Sequence, residues 1–268
     1  MARFKDNKIY LFIVLLCLLG IVYRTYKSEG FRNEIGNVAI LFAGRISSYE
    51  HVYKKLEDIK VQYNPVVFCS INEVTQTSYT NNFCDMFGIK PTQRNIEQTV
   101  LPKWVNDFVI DNYITGLNAL NMYSMFYHEN KAFKLLEKYQ IDNNIIFDIV
   151  LYYRADLDST DTLTLNIPAD NTIYLSNERH YFGVNDRMAY GNYISMKKYC
   201  SLVEKLNKIL IKENVIFNSD LYTNFLNPEM ILSYHLNNEK LHINKIKYNT
   251  DLYKFRNDKC TKFNQCNS

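Results

Sequence analysis

The chain has 268 residues, 47% of them hydrophobic and 22% charged, with a net charge of +3. That length and apolar content permit one sizeable core and argue against a disordered chain. Only 8 residues are Gly, none spaced as G-x-G, which excludes a dinucleotide-binding fingerprint and a phosphate-cradling P-loop.

Asn (32) and Tyr (22) far outnumber Gly and Pro (5), a bias of AT-rich coding and not of function. Lys and Arg are scattered among acids. Even the densest basic stretch, Lys240 to Lys262, contains Asp251 and Asp258. A nucleic-acid binder shows a basic stripe, so nucleic acid is not expected as a partner.

Residues 1–8 form a short tail with Arg3, Lys5 and Lys8. Ile9 to Tyr23 (IYLFIVLLCLLGIVY) carries no charge, and Arg24 and Lys27 follow it. As a helix this run spans about 22 Å, short of a hydrocarbon core of about 30 Å. Thinner internal membranes and snorkelling Lys and Arg narrow the gap. No small-x-small cleavage site ends the run. The reading is therefore an uncleaved transmembrane signal anchor over 9–23, single-pass type II in an ER/Golgi-like or host internal membrane. Residues 24–37 read as a stem and 38–268 as the catalytic domain.

Cys17 lies in the anchor, leaving Cys69, Cys84, Cys200, Cys260 and Cys266. None forms C-x-x-C, and the odd number sets no disulfide framework. Cys260 and Cys266 can close a small terminal loop or remain thiols. No Asn begins an N-x-Ser/Thr sequon, so nothing marks a glycosylated lumenal domain.

In chain order, Val38 to Phe42 (VAILF) predicts a buried parallel strand that ends at Ala43-Gly44-Arg45. Ser47 or Ser48 then caps a helix with Leu56 and Ile59 on one face. Val66 to Cys69 completes a βαβ unit. Residues 72 to 116 read as loops and short helices. Leu117 to Tyr139 predicts a long helix, and Ile145 to Tyr153 (IIFDIVLYY) the strongest strand. Thr172 to Leu175 is a short strand; Ser195 to Leu210 and Pro228 to Leu236 are helices. Ile243 to Tyr248 alternates like an edge strand. The fold class is α/β: a mixed, mostly parallel sheet flanked by helices.

The strongest strand leads into Arg154-Ala155-Asp156-Leu157-Asp158-Ser159-Thr160. In open α/β sheets ligands meet the carboxyl ends of strands. Two carboxylates at i and i+2 can converge on Mg²⁺ or Mn²⁺ and its phosphates, and Arg154 can grip diphosphate. The plainer alternative is a turn opened by Asp158.

These segments, in order, resemble GT-A-type glycosyltransferases, whose central strand ends in Asp-x-Asp or Arg-x-Asp. The similarity is to transferases related to the WavE lipopolysaccharide group, a set also found in large DNA viruses. It is carried by AILFAGRISSYEH (39–51), SMFYHENKAF (124–133), FDIVLYYRADLD (147–158), YFGVNDRMAYGNYISMKKY (181–199) and NPEMILSYHL (227–236). It implies a Rossmann-like GT-A sheet and a hexosyltransferase-like enzyme. Its donor would be a nucleotide-diphosphate sugar and its acceptor a glycan, lipid or protein.

Residue by residue, the resemblance puts Ala43, Gly44 and Arg45 at the nucleotide, and Arg154, Asp156 and Asp158 at the donor. Asp156 and Asp158 are the metal ligands, and Asp156 matches better. Asp186 reaches the donor sugar or acceptor hydroxyl, unless it is a helix N-cap. Glu229 is the base for an inverting transfer, unless it serves only the dipole of its helix. His180 and Tyr190 are acceptor contacts.

Two rival readings remain. Asp156-x-Asp158-x-Thr160 also fits the first motif of haloacid-dehalogenase-type phosphatases, although that motif usually follows a domain's first strand. A non-catalytic, membrane-anchored binding protein would keep its ligand when Asp156 is replaced by Ala.

Overall fold

The computed structural model describes residues 36–44, 46, 49–73, 77–105, 107, 116–154, 157–159, 161–178, 180, 183–212, 228–248 and 251–252. The chain divides into two units, Met1–Ile35 and Gly36–Ser268, and every described element belongs to the second. The expected anchor, Cys17, Cys260 and Cys266 lie outside the described residues. Among the described residues no helix is long and apolar enough to cross a membrane.

The second unit is mixed α/β, with a seven-stranded, mostly parallel sheet flanked by helices. Its strands are β1 (Val38–Gly44), β2 (Val66–Asn72), β3 (Arg94–Glu97), β4 (Ile149–Arg154), β6 (Thr172–Ser176), β7 (Met188–Gly191) and β8 (His242–Ile246), ordered β3-β2-β1-β4-β7-β6-β8. Only β7 runs against the others, paired antiparallel to both β4 and β6. The ends of β1, β2, β3, β4, β6 and β8 therefore share one edge with the start of β7. A second, small sheet pairs β5 (Leu157–Asp158) antiparallel with β9 (Asp251–Leu252).

The continuous apolar run of β1 fits its place between β2 and β4, because a central parallel strand is covered on both faces. On one face lie α1 (Tyr49–Tyr63) and α2 (Ser78–Phe87). Helix α1 offers Tyr49, Val52, Leu56 and Ile59, all buried at helical spacing. Phe83 and Phe87 of α2 pack their rings on Phe42, with centroids 5.4 and 4.7 Å away.

The other face carries α3 (Gly116–Asn143), α4 (Tyr193–Cys200) and α6 (Pro228–Asn238), with Ala39, Leu41, Tyr152, Phe126, Phe133, Met196 and Leu232 in one core. A short α5 (Leu202–Asn207) and a π-turn over Lys208–Lys212 extend α4, so the single helix expected over 195–210 is broken at Ser201.

Two local expectations change. Helix α2 fits the stretch read as loops and short helices, but strand β3 was not expected there. Thr77 caps α2, its Oγ1 accepting from the Thr80 amide at 3.2 Å, and Gly88 ends it at φ +67°. Strand β4 starts at Ile149, because the Asp148 carboxylate turns back to accept from the Asn37 amide at 2.7 Å.

Candidate active site

Strand β1 ends at Ala43-Gly44, and Ala43 is the register partner of Arg154 at the end of β4. Gly44 has φ +97°, which only Gly adopts without strain. The first strand and the basic end of β4 thus exit side by side. Arg45 and Asp156 lie outside the described residues. The backbone of Asp158, in β5, stands in register with Asp251 of β9.

Between β6 and β7 the chain runs from Asn177 to Arg187, and several of its described residues are bonded to one another. The Asn185 side chain, fully buried, donates to the Glu178 carbonyl at 2.6 Å and accepts from the Arg187 amide at 2.8 Å. Its amide donates to Nδ1 of His180 at 3.0 Å. That bond assigns the His180 proton to Nε2, which has no partner among the described residues. Burial and Lys245 hold the His180 pKa below its ordinary value. The Arg187 carbonyl accepts from the Arg154 amide at 3.1 Å, which extends the ladder between β4 and β7.

Asp186 is almost fully buried. A strand follows it, so it caps no helix. Glu229 stands in the first turn of α6, and the Val184 amide donates to its carbonyl at 3.1 Å. A Cβ on Gly183 would lie 2.1 Å from that same carbonyl oxygen, so only Gly lets the segment lie this close to α6. The Glu229 carboxyl is pushed up to about 7, by burial first and then by the Asp186 charge, against the pull of Arg187 and Arg154. Asp186, Glu229, Arg154 and Arg187 therefore form one electrostatic group.

Sequence reasoning missed Glu129. It lies on α3, 1% exposed, and its Oε1 has no hydrogen-bond partner among the described residues. Burial, then Asp186, push its carboxyl well above the usual range, while Cys200 bonds to it. A signal was available: Glu129 interrupts the buried stripe of Met122, Phe126, Phe133 and Leu136. A lone acid on such a stripe is unusual.

Tyr190 lies within the sheet. It is fully buried and stacked on Tyr174 at 4.7 Å. It pairs with Leu151, which places it on the α1–α2 face, opposite Glu129 and Tyr152. Strand alternation thus puts its side chain on the face away from Glu129. His180 acts on the segment through Asn185.

His128, next to Glu129, faces a separate and satisfied network. Its Nδ1 meets Ser70 Oγ at 2.7 Å and its Nε2 meets Thr99 Oγ1 at 2.8 Å. Thr99 Oγ1 also bonds Ser124 Oγ, which accepts from Asn72, each at 2.9 Å. Burial lowers the His128 pKa to about 4. The network ties α3 to β2 and to the segment after β3.

No family model matches this chain, and no curated protein matches it. Among solved structures it is similar to the apo-form glycosyltransferase GlyE of Streptococcus pneumoniae TIGR4, at 14% identity and a TM-score of 0.36, over 78% of this chain and 45% of that one. It is also similar to mouse xyloside xylosyltransferase 1 in its apo form, at 9% identity and a TM-score of 0.41, over 79% and 85% of the two chains. Neither likeness bears on function at TM-scores this low.

Proposed function

We propose that the chain is a glycosyltransferase of GT-A-like architecture, moving a sugar from a nucleotide-diphosphate sugar to a glycan, lipid or protein acceptor. The observation that carries this reading is the Glu229 carboxyl, pushed up to about 7 beside Asp186, Arg187 and Arg154. A general base works best when its pKa lies near the operating pH. Cationic side chains at the carboxyl edge of parallel strands suit a diphosphate.

In the proposed step the Glu229 carboxylate takes the proton of an acceptor hydroxyl. The freed oxygen pair forms the bond to the anomeric carbon. The bond from that carbon to the diphosphate breaks, and its electrons leave with the nucleoside diphosphate. Arg154, with Arg45, binds the diphosphate, and Gly44 lets the nucleotide approach the backbone. Asp186 orients the acceptor hydroxyl or the donor sugar.

Asp156 and Asp158 offer oxygen donors only, a set that fits Mn²⁺ or Mg²⁺. When bound, such an ion offsets the charge of the diphosphate. In the same proposal residues 9–23 anchor the enzyme in a membrane as a type II protein, with the WavE-related and viral transferases as its relatives.

The test is a screen of UDP-, GDP- and CMP-sugars for transfer and hydrolysis, with and without Mn²⁺, on the wild-type chain and Glu229→Gln. Turnover of one nucleotide sugar by the wild type, lost in the variant, supports the reading. Absence of binding and turnover with every nucleotide sugar overturns it.

A further inference from the structure

The fold brings together two cysteines that the sequence leaves unpaired. Cys69 is the fourth residue of β2 and points to the face that α2 covers. Cys84 lies on the inward side of α2, beside Phe83 and Phe87. Both are fully buried free thiols. Cys69 is the strand partner of Phe42, the ring on which Phe83 and Phe87 of α2 pack, so Cys84 comes down beside it and each thiol shifts the titration of the other. Arg94 of β3 is the register neighbour of Cys69, and its charge also favours the Cys84 thiolate. The third described cysteine, Cys200, is on the opposite face against Glu129.

This is a dithiol beneath a cation, and its two sulfurs are unequal. Cys69, then Arg94, lowers the Cys84 pKa to about 6. Cys84, then burial, pushes Cys69 well above the ordinary thiol range. The thiolate is the nucleophile in disulfide chemistry, so Cys84 attacks first and Cys69 resolves.

We propose that Cys69 and Cys84 are a redox site that closes to a disulfide between β2 and α2 when a small aliphatic disulfide is the oxidant. The Cys84 thiolate attacks one sulfur of the oxidant and expels one thiolate, leaving a mixed disulfide. Cys69 then gives up its proton, attacks the Cys84 sulfur and expels the second thiolate. Two protein thiols are oxidised, and one small disulfide is reduced to two thiols. Burial sets the rate, since α2 must part from the sheet for the oxidant to enter.

The experiment treats the full chain with oxidised glutathione under native conditions. It then alkylates in denaturant and maps the peptides by mass. The expected product is one cross-link joining the Cys69 and Cys84 peptides, with a mass loss of about two hydrogens, reversed by dithiothreitol. The melting temperature of the oxidised protein rises by about 5–10 °C. Cys69→Ser and Cys84→Ser each abolish the cross-link, and Cys200→Ser does not. Complete alkylation of both residues after oxidation overturns the proposal, and so do glutathione adducts that never resolve. The wild-type peptide map decides even if a variant fails to fold.

Discussion

Gly183 and Glu229 are in backbone contact: a Cβ on Gly183 would sit 2.1 Å from the carbonyl oxygen of Glu229. The neighbouring amide, that of Val184, donates to this oxygen at 3.1 Å. The segment that carries Asp186 is thereby fastened to the helix turn that carries Glu229. The two carboxyls repel each other, yet the main chain holds them together.

Gly183→Ala would therefore disturb the site without removing a functional group. The clash is with backbone, so α6 or the segment must shift. The expected cost is about 1–3 kcal/mol of stability, read as a fall in melting temperature. Transfer activity should fall further than stability alone explains, because Asp186 and Glu229 no longer share one geometry.

Glu229→Gln should lower kcat by about 100-fold or more if the carboxylate removes a proton. In the wild type, activity should rise with pH through a midpoint near 7, where the carboxyl ionises. A pH-rate profile with no limb near that value would contradict the assignment.

The same substitution has a stability signature. Because the folded pKa of Glu229 is raised, the folded state holds the proton longer than the unfolded one. That contribution is complete below the unfolded value, about 4.5, and is lost as pH rises through about 7. Glu229→Gln should leave stability little changed at low pH. Above neutrality it should gain about 1–2 kcal/mol, because solvent screens a part-exposed carboxyl, seen as a pH-dependent difference in melting temperature.

His128 works in the opposite direction. Its folded pKa is lowered from 6.5 to about 4, so the unfolded chain binds its proton first. Stability from this group is complete above the unfolded value and is lost as pH falls through about 4, with about 3 kcal/mol at stake. The His128 and Glu229 windows overlap with opposite sign, so the wild-type stability profile is flattened between them. In Glu229→Gln the acid-side loss should stand out, and urea denaturation across pH 4–7 tests this.

Arg154→Ala should weaken donor binding and raise the KM for the nucleotide sugar by about tenfold or more. The fold should survive, since Arg154 holds β7 through its backbone amide. An unchanged KM would remove Arg154 from the donor site.

Much of the fold was legible in the chain. VAILF and IVLYY read as buried strands because central parallel strands need apolar side chains on both faces. The alternation of INKIKY matched β8, which lies at the sheet edge. Strands β3 and β7 were not legible. Arg94–Glu97 is polar, and Met188–Gly191 is only four residues long. Each is a strand because of the neighbour it pairs with, not because of its own periodicity.

The site divides in the same way. By itself the sequence determined which residues could do chemistry: acids leaving a strand, an acid opening a helix, and a Gly-bounded segment between them. Those are local properties, set by residue type and by position relative to an apolar run. Only the tertiary structure decided which of them act on one another. It placed Asp186 against Glu229 and Glu129, turned Tyr190 into the opposite core, and set Cys69 beside Cys84. Burial and charge proximity depend on contacts between segments far apart in the chain, so no local pattern encodes them.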